Sequence, residues 1–289
     1  MKYTLLFFTL LILATTSYAQ NIKSRLKFRQ GEVIEINMQV KSNISQQAMG
    51  QSIDFDLLGS VDHSYKVTNT TDENHTLHHT VQNIAFSFDG MGQKRSMNSN
   101  NEKDMKSQFG KPIQEMLNKT YDMILDPTGK VLMVRPETVD TMKADRGMAM
   151  ISNMLKDVVS AVQAPTKGSS SFFKLFPDDE VTKTDKWTET LQTPSGKVTT
   201  VYSINSITDS TIVLDVLGTS NTITKSEMMG NETTTTMTNK TVGKITVDRA
   251  SGIVKEKTFT TDSNGSTDAM GSTIPVTSKT TILITVKRK

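Results

Sequence analysis

Apolar and polar residues alternate along much of this chain. Ile34, Ile36, Met38 and Val40 are apolar, and Glu35, Asn37 and Gln39 between them are polar. The two-residue period returns at Ile53, Phe55 and Leu57, at Ile84, Phe86 and Phe88, and at Ile212, Leu214 and Val216. It appears again at Ile245 and Val247 and at Ile282, Ile284 and Val286. Successive strand side chains point to opposite faces, so each run predicts a strand with one face on a core and one in water. Turn signals separate the runs. Asp126-Pro127-Thr128-Gly129 has Pro where a type I turn needs φ near −65° and Gly at its exit. Pro194-Ser195-Gly196, Ala250-Ser251-Gly252 and Asn264-Gly265 read as turns on the same grounds.

Two stretches break the period. Residues 102–118 are polar with scattered apolar positions, and a short helix is expected around Ile113 to Asn118. From Glu137 to Gln163 the period lengthens, with Met148, Ile151, Leu155, Val158 and Val162 forming one stripe at helical spacing. Pro136 and Pro165 flank that stretch as helix boundaries. The chain also resembles itself. Tyr65 to Asp72 is similar to Tyr202 to Asp209, and Ile124 to Val131 is similar to Thr246 to Val254, in the same order. These features predict a mainly β (α+β) fold: two related antiparallel β lobes with curved sheets and one long amphipathic helix between them. The expected organisation is a first lobe over 20–135 with a helical insert near 102–118, a connecting helix over 136–165, and a second lobe over 166–289.

The first nineteen residues change the picture of where the chain works. Lys2 supplies a positive n-region, Leu5 to Ala14 an apolar core, and Ser17-Tyr18-Ala19 a small-x-small cleavage site. This pattern is that of a secretory signal peptide, and export to the periplasm or cell surface is expected. Its apolar run is about half the ~20 residues that span a bilayer, and no later stretch approaches that length, so no transmembrane segment is expected in the mature chain. With no cysteine there is no disulfide framework, no thiol nucleophile and no thiolate metal site. A net charge of +3 argues against nucleic acid as a partner.

Candidate chemistry is sparse. The histidines are His63, His75, His78 and His79, and on a strand His75 and His79 face one way and His78 the other. That geometry does not aim all three at one ion, so solvent-facing histidines are expected and no metal or other cofactor is predicted. No nucleophile-elbow or His-Glu-x-x-His motif is present. Asp54 and Asp56 share a strand face and read as solvated acids. Seventeen methionines are many for this length, and Met142, Met148, Met150 and Met154 cluster on the expected helix. Met148, Ile151, Met154, Leu155 and Val158 are therefore the candidate lining of an apolar cavity, with core packing of the same stripe as the alternative.

Several of these residues carry a family resemblance. Ala19-Gln20, Phe28-Arg29-Gln30-Gly31-Glu32-Val33, and Phe176-Pro177 followed by Val181 and Thr184-Asp185-Lys186-Trp187 are similar to an uncharacterised family of exported Bacteroidota proteins, a domain of unknown function. The resemblance implies export and a mainly β fold, and it carries no catalytic residues. The expectation is a non-catalytic envelope protein binding an apolar small molecule, a glycan or another envelope protein. The alternatives are a hydrolase with a dispersed polar site and a purely structural surface protein.

Overall fold

The computed structural model describes residues 21–48, 50–90, 92–136, 156–193, 195–228, 231–269 and 271–289. The described strands are β1 (Val33–Ala48), β2 (Gln51–Thr70), β3 (His75–Gly90), β4 (Gln93–Asn98), β5 (Tyr121–Leu125), β6 (Val131–Arg135), β7 (Lys186–Thr193), β8 (Gly196–Ile207), β9 (Thr211–Met228), β10 (Asn231–Asp248), β11 (Val254–Ala269) and β12 (Ser272–Arg288). Short helices α1 (Glu102–Met105) and α2 (Gly110–Leu117) follow β4, and α3 (Lys156–Ala161) precedes β7. Pro112 sits in the first turn of α2, where its missing N–H breaks no helical bond.

The strands form one antiparallel sheet in the order β6-β5-β3-β2-β1-β12-β11-β10-β9-β8-β7, with β4 on the free edge of β3. The chain meanders outward from β1 to β6, crosses to the far edge, and returns from β7 to β12. The fold is mainly β as expected, but one continuous sheet stands in place of two separate lobes. The reason lies in β12. Its Ile282, Ile284 and Val286 pair with Val40, Met38 and Ile36 on β1, so the apolar stripes of both halves merge into one inner face. Separate lobes would leave both stripes at open edges.

Three core clusters cover that face. One joins Met38, Val61, Ile84 and Phe86 to Phe109, Ile113 and Met116 around α2 and to Val158 and Val162 around α3. A second centres on Ile34, Tyr65, Leu77, Met123 and Phe173, and a third on Leu214, Val216, Ile245, Val247 and Phe176. The helix expected over 137–163 is described only at α3. Met148, Ile151, Met154 and Leu155 lie outside the described residues.

The two segments that resemble one another sit at equivalent places. Tyr65 and Tyr202 stand on β2 and β8, each leading through a hairpin into the next strand. The Asp126 turn joins β5 to β6, and the Asp248 turn joins β10 to β11. Asp126 accepts from the amides of Thr128 and Lys130, and Asp248 from the amide and hydroxyl of Ser251. Gly129 and Gly252 close the turns at φ +93° and +71°, a region that side chains other than glycine rarely adopt. The N-terminal strap ties the turns together: Leu26 N–H donates to Pro127 O at 2.7 Å and Lys27 N–H to Ser251 O at 2.8 Å. Asn264-Gly265, by contrast, is not a turn. It lies inside β11, where a Cβ on Gly265 would come 1.9 Å from Thr236 O on β10, so close backbone approach explains this glycine.

Candidate functional site

A cavity of about 340 Å³ opens between the inner face and the segment 160–172. Its floor is apolar: Ile36 and Met38 of β1, Met123 of β5 and Ile284 of β12. Ala161, Ala164, Pro165 and Phe172 close it from above. Val158, one of the expected lining residues, stands on α3 and is buried in the core, and Ser160 and Ala161 of the same helix line the cavity. Larger hollows run past Gln39, Lys41 and Leu58 and past Asp54, Asp56 and Lys240 on the opposite face.

The cavity's polar edge comes from histidine and tyrosine. His63 and Tyr65 on β2, His79 on β3 and Tyr121 on β5 share the inner face because their alternation matches that of Val61, Val67, Leu77 and Val81. His63 Nδ1 and His79 Nε2 are 2.9 Å apart, and the Tyr65 and Tyr121 hydroxyls are 3.0 Å apart. His79 stacks on Tyr121 with ring centroids 4.4 Å apart. His79 is fully buried and its Nδ1 has no hydrogen-bond partner. Burial pushes His63 down to about 4 and His79 down to about 3, so both are neutral near pH 7. Burial likewise pushes Tyr65 up to about 12 and raises Tyr121. The cluster is a neutral hydrogen-bonding edge in an apolar wall.

The expectation of solvent-facing histidines is therefore corrected. His63, His75 and His79 are buried, because they share strand parity with apolar neighbours. Only His78 faces outward. Its Nδ1 lies 2.7 Å from Asp122 Oδ1, with side chains 39% and 51% exposed, so this His–carboxylate pair is on the surface. Among the described residues, no group of three or more His, Asp or Glu side chains is placed to hold a metal. Asp54 and Asp56 are exposed.

Beyond Phe172 the site continues along β7, β8 and β11. Lys257 donates to Phe172 O at 3.0 Å and lies 4.0 Å from that ring's centroid. Burial pulls Lys257 down to about 8. Glu189 accepts from the Tyr202 hydroxyl at 3.3 Å, and burial raises its carboxyl above the usual range. Trp187 stacks on Tyr202 at 5.4 Å, and its buried indole N–H has no partner. Sequence reasoning missed Lys257, although its place one inward step before Phe259 gave the signal.

The model of a family of unknown function, DUF6263, matches residues 72–254. No curated protein matches significantly. Among solved structures, the chain is similar to lipovitellin, described for its lipid–protein interactions, at 10% identity and a TM-score of 0.50, covering 91% of this chain and 26% of that one. The chain thus spans about a quarter of the lipovitellin chain it matches. An outer-membrane channel from Pseudomonas putida F1 aligns at 8% identity and a TM-score of 0.25, over 91% of this chain and 98% of that one. OccAB4 of Acinetobacter baumannii aligns at 8% identity and 0.22, over 90% and 99%. At 10% identity the likeness to lipovitellin concerns fold alone. No helix among the described residues is long and apolar enough to cross a membrane.

Proposed function

The chain belongs to the family of unknown function DUF6263, so its role must be argued from its own site, and we propose that it is an exported, non-catalytic envelope protein that holds an apolar or amphipathic ligand between the inner face and the segment 160–172. The observation that carries this reading is the cavity itself. Apolar floor residues and a small number of convergent polar groups are the usual composition of a small-molecule site, and 340 Å³ falls at the lower end of such sites. The neutral His63, Tyr65 and Tyr121 edge supports a ligand with one polar end. The lipid binding named for lipovitellin agrees with the reading at the level of fold only. Export draws on the signal-like pattern of Met1 to Ala19. A hydrolase draws only on the His78–Asp122 pair, which is half-exposed on the opposite face.

Native mass spectrometry of the protein purified from its own envelope, before and after organic extraction, tests this function. A discrete extractable mass is the expected result and identifies the ligand class. A bare chain in both spectra contradicts the proposal.

A further inference from the structure

Lys257 on β11 places an ammonium in the apolar inner face beside the cavity. Lys257 on β11 belongs to a cross-strand row of Leu214, Ile245, Lys257, Ile284 and Met38. Every other member of that row is apolar, and Leu214 and Ile245 are buried. The ammonium leaves the row toward Phe172, bonding its carbonyl and covering its ring. Phe172, whose carbonyl it bonds, and Ile284, its partner on β12, are both walls of the cavity. Even half-burying a cation among apolar side chains is costly unless it gains a counter-charge. An ammonium has three donors, and the Phe172 carbonyl takes one. Glu189 on β7 acts on Lys257 electrostatically, but that carboxyl is bonded to Tyr202 and burial disfavours its charge.

We infer that Lys257 is the headgroup anchor of this site and that the ligand is a single-chain amphiphile with a carboxylate head. The inference rests on the reading of the cavity as an apolar-ligand site and names its ligand class. One ammonium with Glu189 nearby matches a monoanion better than a phosphate dianion. The head bonds Lys257, and the tail runs past Phe172 over Ile284, Met38 and Ile36. If Lys257 served only to pin Phe172 over the sheet, its loss would weaken charged and neutral ligands alike.

Isothermal titration calorimetry at pH 7 with decanoate, decanol, decylammonium and decyl phosphate tests the inference. The wild-type chain should bind decanoate about tenfold or more tighter than each of the others, the yield of one charge-assisted hydrogen bond. Lys257→Met should lose about that factor for decanoate and leave decanol within about twofold. The wild-type comparison stands even if the variant folds poorly. Equal affinity of the acid and the alcohol, equal loss of both in Lys257→Met, or preference for decylammonium or decyl phosphate overturns the carboxylate inference while the cavity reading survives. Binding of none of the four overturns both.

Discussion

In β1–β6 the inner face lies under helices and aromatic rings; in β7–β12 the same face runs out from its core onto hydroxyls. Val61, Ile84 and Phe86 are sealed by Phe109, Ile113 and Val158. Across the sheet, the row beyond Tyr202, Val216 and Phe259 is Thr200, Gly218, Thr241, Thr261 and Thr280. The next is Val198, Ser220, Asn239, Ser263 and Ser278. Thr241 and Thr261 hydroxyls meet at 2.8 Å, and those of Thr280 and Ser42 at 2.6 Å. Threonine is β-branched, which suits an extended backbone, and its hydroxyl accepts water. The difference teaches that hydrogen-bonded strand length and buried core are set separately here. The backbone ladder continues far past the point where apolar cover ends, and the cavity lies where covered and uncovered halves meet.

The largest effect that sharpens this contrast is expected in the covered half. Leu77→Ala, at a fully buried position, should cost about 3 kcal/mol in urea unfolding, the usual range for emptying a packed leucine site. A cost under about 1 kcal/mol would mean the first half is not the stabilising core.

Acid should act through the same half. His63 and His79 fold with pKa values lowered to about 4 and about 3 from 6.5. Below pH 6.5 the unfolded chain binds protons that the folded chain refuses, so this stability is fully present above pH 6.5. It is lost as pH falls toward those folded values, on the order of 3 kcal/mol from His63 alone. Urea midpoints at pH 7 and pH 4.5 measure it. The double variant His63→Phe/His79→Phe should flatten this limb, and an unchanged slope would show that other groups carry it.

Much of the fold was legible in the alternation. The runs at Ile34, Ile53, Ile84, Ile212, Ile245 and Ile282 all lie in strands, and the Asp126 and Ser251 turns stand where the sequence places them. The polar ends of β9, β10 and β11 were harder to read, because Thr and Ser on both faces leave no apolar contrast to count. The single sheet was hidden because pairing of β1 with β12 is a contact between chain ends. At the site, His75 and His79 had the parity of Leu77 and Val81, which was enough to bury them. The join of β2, β5, β12 and residues 160–172 into a cavity depends on long-range packing that no local period reports.

A smaller effect on stability, with a larger one on binding, is expected at the junction. Ala164→Leu fills part of the cavity and should weaken decanol binding about tenfold while changing stability by about 1 kcal/mol. Calorimetry and urea unfolding read the two quantities, and unchanged binding would move the ligand elsewhere. The smallest effect belongs to the uncovered half. Thr241→Ala should shift stability by no more than about 0.5 kcal/mol, and a loss of about 2 kcal/mol would show that the threonine ladder carries the sheet.

The central claim is that an apolar chain occupies the junction cavity. Photocrosslinking the full chain with a diazirine-tagged alkyl carboxylate, followed by peptide mapping, tests it most directly. Adducts should concentrate on peptides holding Met38, Met123, Ala161 and Ile284, and excess decanoate should remove them. Adducts scattered over the opposite face, or insensitive to decanoate, would contradict the account.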